Sequence, residues 1–259
     1  MIQLIRKEAE KMSQYWTGYT PESIPMVPTV LTDADLKSRK GYREAIEHGD
    51  VVLGLDKESV TIRLWKRKNT NLLVLSNKQD HMSTIIQYVM EQIGENEKKI
   101  VFAPEFNTMK YVADYEIISE KSAVEEMLEA MAYRITEKMK EQDDSSEAII
   151  AFYDYATFVS SLSMTAVENL KFIIEKGRLV GYTCLVTADP SLTGKIDSAS
   201  KLVRQTDLLL LDMRVVDQNV ILPLNRNSRE PMLEFQEQWI IENKTAYKIQ
   251  VSYIGEIDE

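Results

Sequence analysis

Residues 72–93 place an apolar run, a short polar segment and an amphipathic stretch in the order that a phosphate-binding loop requires. The run from Leu72 to Leu75 predicts a buried strand, and the stretch from Thr84 to Ile93 predicts a helix. Between them lie Ser76, Asn77, Lys78, Gln79, Asp80, His81, Met82 and Ser83. A strand that leads through such a segment into a helix is the layout of the P-loop, which holds phosphate groups with backbone N–H groups and a lysine.

The residue types that give a P-loop its chemistry are mostly missing from this segment. The motif G-x-x-x-x-G-K-[ST] would put glycine at positions 76 and 81 and lysine at 82. The chain has Ser76, His81 and Met82 there, and only Ser83 fits. The glycines let the loop close on a phosphate, and the lysine supplies charge to the outer phosphates. Lys78 lies four positions before the lysine slot, so we predict a remnant of a nucleotide site whose hydrolytic chemistry has been lost.

A second candidate site follows the apolar run 148–153. Asp154 comes directly after this run, as the magnesium-shell acid of the Walker B motif follows its strand. A second acid usually stands beside it and orients the attacking water, but Tyr155 takes that place. Because any strand can end in an acid, the alternative is that Asp154 only caps the next turn.

The rest of the chain predicts strands that alternate with helices. Predicted strands cover residues 51–55, 60–65, 99–103, 115–118, 148–153, 182–187, 207–211 and 220–224, with further β-structure over 238–254. Predicted helices cover residues 33–47, 119–140 and 163–176. This alternation indicates an α/β fold of the RecA-like, P-loop NTPase type, with a mostly parallel sheet and helices on both faces. Ligands of such sheets bind beyond the carboxyl ends of the strands, here after Leu75 and Tyr153.

Composition narrows the function classes. A net charge of −10 disfavours a protein that tracks duplex DNA, which needs clustered lysine and arginine. The basic run 66–68 lies between two predicted strands, and we interpret it as a solvated hairpin turn. The single cysteine, Cys184, falls in a predicted buried strand, which excludes a disulfide framework. With only His48 and His81 in the chain, we predict no metal site and no histidine-based triad. No apolar run reaches the roughly 18 residues that span a bilayer, and no signal peptide is recognisable.

The order of these motifs resembles the C-terminal ATPase-like domain of the EssC/YukB proteins, which are FtsK/SpoIIIE-type coupling ATPases of the type VII secretion system of Gram-positive bacteria. The matching segments are 24–28, 53–56, 72–93, Asp154, 177–178, 181–183, Thr187 and 249–251. They extend over nearly the whole chain. We therefore interpret residues 1–30 as an N-terminal helix and extended linker, and residues 31–259 as a degenerate FtsK/SpoIIIE-type ATPase domain.

The resemblance implies a cytoplasmic domain of a membrane-anchored parent that helps to recognise small Esx-type secreted proteins. The implied partners are those proteins and other domains of the same polypeptide, with no nucleic acid and with the membrane reached only through the parent. The departures at Ser76, His81, Met82 and Tyr155 predict no cofactor and no hydrolysis of ATP with Mg²⁺. We expect Met82 and Tyr155 to offer apolar surface to a substrate at the rim of the old nucleotide site. The alternatives are an active ATP-binding motor domain of the same translocase and, disfavoured by the acidity, a DNA translocase module.

Overall fold

The computed structural model describes residues 26–68, 70–105, 115–194, 208–217 and 229–254, together with Lys7, Lys11, Lys201 and Thr206. The helix predicted at the N-terminus, apart from the two lysines there, and the strand predicted over 220–224 lie outside the described residues. The same is true of most of the predicted linker.

Within the described residues, ten strands form one sheet. They are β1 (Val51–Asp56), β2 (Ile62–Trp65), β3 (Leu72–Leu75), β4 (Lys98–Phe102), β5 (Glu116–Ile118), β6 (Ala148–Phe152), β7 (Tyr182–Ala188), β8 (Leu208–Leu211), β9 (Glu237–Glu242) and β10 (Thr245–Gln250). The spatial order is β2-β1-β10-β9-β8-β3-β7-β6-β4-β5. The run from β8 to β5 is parallel, and the run from β2 to β8 is antiparallel.

Six α-helices are seen in the same residues. They are α1 (Asp33–Lys37), α2 (Tyr42–Glu47), α3 (Gln79–Gln92), α4 (Lys121–Glu141), α5 (Tyr155–Ser160) and α6 (Met164–Lys176). Short 3₁₀ helices follow at Gly177–Val180, Pro190–Gly194 and Val215–Asp217. The predicted α/β fold is confirmed, including the strand–loop–helix at 72–93.

Alternate residues of the central strand β3 enter two separate hydrophobic cores. Leu73 and Leu75 pack with the buried face of α4 and α6, whereas Leu72 and Val74 pack with that of α3. Successive side chains of a strand point to opposite faces, so a strand covered on both sides must be apolar throughout. This is the physical reason for the near-continuous apolar runs in the sequence.

Local capping explains several helix boundaries and corrects two predictions. The single helix predicted over 33–47 is two helices, separated at Gly41, whose φ of 86° breaks the helix. The helix predicted from Ser119 begins two residues later, and Glu120 caps it by accepting from the backbone N–H groups of Ser122 and Ala123. The helix predicted over 163–176 begins at Met164, and Ser163 caps it by accepting from the backbone N–H of Ala166.

The basic run 66–68 is not a hairpin turn between two paired strands. In the described residues β2 pairs with β1, while β3 pairs with β7 and β8. Arg67 is 9% exposed, and its guanidinium donates to both carboxylate oxygens of Glu97, at 2.6 and 3.0 Å. The solvated-turn prediction was therefore wrong for Arg67, whose charge has a partly buried partner that is 30 residues away in sequence.

Candidate functional site

The loop after β3 spans only residues 76–78, because α3 begins at Gln79. Positions 79–83, which a P-loop would use to wrap a phosphate and start its helix, already lie inside α3. Lys78 takes the N-cap position in an extended conformation and makes no side-chain cap hydrogen bond. The loop of this segment is therefore shorter than the one that the motif places before its lysine.

The short loop 76–78 is called the remodelled loop below. A carboxylate, that of Asp212, lies against it. Its Oδ2 accepts a hydrogen bond from Ser76 Oγ at 3.0 Å and lies 2.5 Å from His81 Nδ1. Lys78 Nζ is 4.0 Å from the same oxygen. Ser76 Oγ also accepts from the backbone N–H of Lys78, at 3.1 Å, which fixes the turn. The residues in the two former glycine slots are thus bonded to one internal anion.

This cluster has the residue types of a serine hydrolase but not its arrangement. The carboxylate, and not the imidazole, contacts the serine hydroxyl. Ser76 is also fully buried, so its hydroxyl cannot reach a substrate. A nucleophilic serine needs a base that removes its proton, and here the neighbouring imidazole bonds elsewhere.

The lysine slot faces the protein interior. Met82 is 2% exposed and packs in the core on the α3 face of the sheet. Since α3 starts before the slot, position 82 has turned toward the sheet. The prediction that Met82 offers apolar surface to a substrate was wrong. The other loop residues are accessible: Asn77, Lys78, Gln79 and Asp80 are exposed, and Ser83 Oγ donates to the Asp80 carbonyl at 2.9 Å.

Asp154 lies at the carboxyl end of β6, at the same edge of the sheet. It precedes α5 with φ 46° and ψ 60°, a left-handed conformation that is uncommon for aspartate. Its side chain makes no cap hydrogen bond to α5. Asp154 nevertheless holds the N-cap position of α5, as the alternative interpretation had it, and its carbonyl accepts from the Phe158 N–H at 2.9 Å. Its backbone N–H donates to Thr187 Oγ1 of β7 at 3.3 Å, so the neighbouring strand ends are tied together.

Tyr155 occupies the second-acid position but does not reach the surface. It is 0% exposed and meets Phe152 edge-on, with ring centroids 6.2 Å apart. Tyr155 belongs to the core on the α4 and α6 face, opposite the core that holds Met82. The prediction that Tyr155 contacts a substrate was wrong for the same reason as for Met82: the ring of Tyr155 and the thioether of Met82 are both packed in the protein interior.

A cleft of about 510 Å³ opens beside the remodelled loop. Its floor includes Lys78, His81 and Asp212. Its wall carries partly or fully exposed apolar side chains, namely Met213, Met232, Leu233, Phe235 and Ile254. Met232 is 72% exposed. Accessible apolar surface at this edge of the sheet is thus supplied by these five side chains, none of which the sequence predicted as site residues.

Asp212 is the site residue that the sequence analysis missed, although a signal was available. The run Leu208 to Leu211 ends in an acid, the same pattern that drew attention to Asp154. Its contact with Ser76 depends on β8 pairing with β3, in which Leu75 lies opposite Leu211. The Asp212 N–H also donates to the Leu75 carbonyl at 3.0 Å. The pattern was visible in the sequence, but the pairing was not.

Two kinds of feature are absent from the described residues, a metal-binding cluster and a membrane-spanning helix. Over the described ranges there is no group of three or more histidine, cysteine or acidic residues that could hold a metal ion. Nor does the described part of the chain contain a helix of sufficient length and hydropathy to cross a membrane.

The central parallel strands, the helices on both faces and the strand–loop–helix after β3 define a domain with the P-loop ATPase fold, in which the phosphate loop is remodelled. Comparison with protein-family models gives no match. The chain is nevertheless homologous to a segment of the type VII secretion system protein EssC. It is 21% identical over 254 residues to EssC of Staphylococcus aureus strain NCTC 8325 / PS 47, covering 95% of this chain and 17% of that protein. This chain therefore spans only a small part of its curated relatives.

Solved structures of related proteins have the same fold. EssC (ATPases 2 and 3) from Geobacillus thermodenitrificans matches with a TM-score of 0.79 and 16% identity, over 96% of this chain and 50% of that one. EccC (ATPases 2 and 3) from Thermomonospora curvata, solved in complex with a signal sequence peptide, matches with a TM-score of 0.64 and 14% identity, over 97% and 48% of the two chains.

Proposed function

We propose that this chain is a recognition domain of a type VII secretion coupling protein and that it works without hydrolysing ATP. The observation that carries the proposal is the start of α3 at Gln79, which leaves no phosphate-wrapping loop in an otherwise preserved ATPase fold. A domain that keeps its fold without its phosphate loop retains its surfaces for contacts. The homology to EssC and the signal peptide bound to a structural neighbour support a role in substrate recognition.

In this proposal the chain acts as a cytoplasmic domain of a membrane-anchored parent. Its partners are small Esx-type secreted proteins and the other domains of the same polypeptide. The parent supplies the membrane contact and the ATP turnover. No cofactor is needed by this domain for recognition.

We place the recognition surface in the cleft beside the remodelled loop, in place of the buried Met82 and Tyr155. The cleft lies at the carboxyl ends of β3 and β8, where ligands of parallel sheets bind. An extended peptide tail binds by placing a few apolar side chains in a groove, and the exposed Met232 with its neighbours Leu233 and Phe235 offers such a surface.

The first prediction concerns turnover. The isolated chain is expected to release no phosphate from ATP and Mg²⁺ above the rate without protein, because position 82 holds methionine in place of the lysine that stabilises the transferred phosphoryl group, and Tyr155 stands in place of the acid beside Asp154. The measurement is steady-state phosphate release by the chain and by Asp154→Ala, which are expected to be equal. Phosphate release by the unsubstituted chain that disappears in Asp154→Ala would contradict the proposal and favour the active motor domain.

The second prediction concerns the partner. A secreted substrate of the same system should bind with roughly micromolar affinity, on the order of −8 kcal/mol, because ordering a flexible tail offsets part of the contact energy. Met232→Glu should weaken this binding roughly tenfold by placing a charge in the apolar groove. Calorimetric titration measures both values.

Met164→Glu is the matched control, since Met164 is 84% exposed at the start of α6 and does not line the cleft. If the unsubstituted chain and both variants bind the substrate with equal affinity, the recognition surface lies outside the cleft. The absence of any binding by secreted substrates would refute recognition by this domain.

A second candidate function, ATP binding in a motor domain, is favoured by one observation. Asp154 keeps the Walker B position at the end of β6, and its side chain is partly exposed. Tight ATP binding that depends on Mg²⁺ and on Asp154 would support this candidate. Salt-sensitive binding of duplex DNA would instead support the translocase alternative.

A further inference from the structure

Two side-chain donors in the segment 76–81, those of Ser76 and His81, are already engaged within the protein. Ser76 Oγ and His81 Nδ1 both contact Asp212 Oδ2, and the Lys78 ammonium is 4.0 Å from the same atom. Ser76 stands in the first glycine slot of the motif and His81 in the second, and Lys78 lies in the loop between them. In a working phosphate loop this segment would face a bound anion.

Asp212 is held in this position by the main chain as well as by its side chain. Its N–H donates to the Leu75 carbonyl at 3.0 Å, next to the β3–β8 pairing. Its side chain is 7% exposed, so water screens its charge poorly. The carboxylate also lies near the amino end of α3, where a helix attracts negative charge.

We propose that the Asp212 carboxylate is an internal anion that takes up the side-chain donors of Ser76 and His81, attracts the Lys78 ammonium, and thereby excludes phosphate groups from this end of the sheet. A phosphate entering here would lose these donors to Asp212 and would be repelled by its charge. Exclusion by Asp212 is a separate cause from the missing lysine, so a lysine at position 82 alone would not restore binding. The inference does not depend on peptide recognition in the cleft.

The test is calorimetric titration of the chain with inorganic pyrophosphate. Asp212→Asn keeps the size of the side chain and removes its charge. This variant should bind pyrophosphate at least tenfold more tightly than the parent chain. Glu234→Gln is the matched control, because Glu234 lines the same cleft and is exposed, and Lys57 beside it keeps its ion pair with Glu237. The control should bind no better than the parent chain. A folded Asp212→Asn variant with unchanged pyrophosphate affinity overturns the proposal.

A second measurement needs no change at Asp212. The chain has two histidines, so the ring resonances of His81 can be assigned by comparison with His48→Gln. With Asp212 in place, millimolar pyrophosphate should leave the His81 ring resonances unshifted. A saturable shift of the His81 resonances in the parent chain would overturn the proposal, whether or not the Asp212 variant folds.

Discussion

The side chain at position 82 faces the bound phosphates in the P-loop motif but the protein core in this structure. In the motif, a lysine there reaches the outer phosphates. In this chain the helix begins at Gln79, and the side chain of Met82 packs in the core at 2% exposure. A flexible thioether fills such a space well, whereas an ammonium would have to leave water or force its way to the surface.

Met82→Lys is therefore expected to destabilise the fold by about 3 kcal/mol or more, because the core would hold an unpaired charge in place of a methionine. The variant should also fail to bind ATP with micromolar affinity. Thermal unfolding and ATP titration measure the two effects. Gln79→Lys, at an exposed position in the same helix turn, should leave stability nearly unchanged. A stable Met82→Lys variant with micromolar ATP affinity would show that the loop backbone is competent as it stands.

At the scale of elements, one carboxylate links three parts of the antiparallel half of the sheet. Glu237 begins β9, is 4% exposed, and accepts from Lys57 after β1 and from Lys248 of β10, the latter at 3.0 Å. Burial by itself would raise the pKa of Glu237, but hydrogen bonds from Lys57, the Glu234 backbone and Lys248 outweigh it and lower the pKa. The pairing of β9 with β10 and the turn after β1 therefore depend on this group being ionised.

A lowered pKa in the folded chain means that the stabilisation is complete above the unfolded pKa and is lost as the pH falls through the folded pKa. Unfolding free energy should therefore drop as the pH falls below the unfolded glutamate pKa of about 4.3, and less so in Glu237→Gln. That variant should also lose about 1–3 kcal/mol at neutral pH, since two lysines lose a charged acceptor. Urea unfolding at several pH values measures both. Glu242→Gln, exposed on the same strand, is the control and should keep the parent profile. A Glu237→Gln profile that parallels the parent would contradict this assignment.

At the scale of the whole molecule, the cleft lies where the parallel and antiparallel halves of the sheet meet. β8 is shared by both halves: it pairs in parallel with β3 and antiparallel with β9. Asp212 follows β8, and Phe235 and Gln236 lead into β9, so residues from both halves line the same opening. A substrate bound there would contact both the remodelled loop and the segment that leads into the β9–β10 hairpin. This is why we place recognition at this junction.

The sequence by itself determined the α/β class and the position of the remodelled loop. Apolar runs such as 148–153 and 208–211 report local burial, and the absence of glycine from positions 76 and 81 and of lysine from position 82 reports local chemistry. These signals depend on neighbouring residues, so they can be read without knowing what packs where. The resemblance to EssC was carried by the same local motifs in their order.

Only the tertiary structure decided what those residues contact. Asp212 meets Ser76 across 136 positions of sequence because β8 pairs with β3, and no local pattern encodes that pairing. The burial of Tyr155 and Arg67 likewise depends on elements distant in sequence. For Met82 the deciding factor was the point at which α3 begins, since a start a few residues later would turn the same side chain toward the loop. Strand order and helix phase together therefore place the accessible apolar surface in the cleft beside Asp212, lined by Met213 and Met232, and not at Met82 and Tyr155.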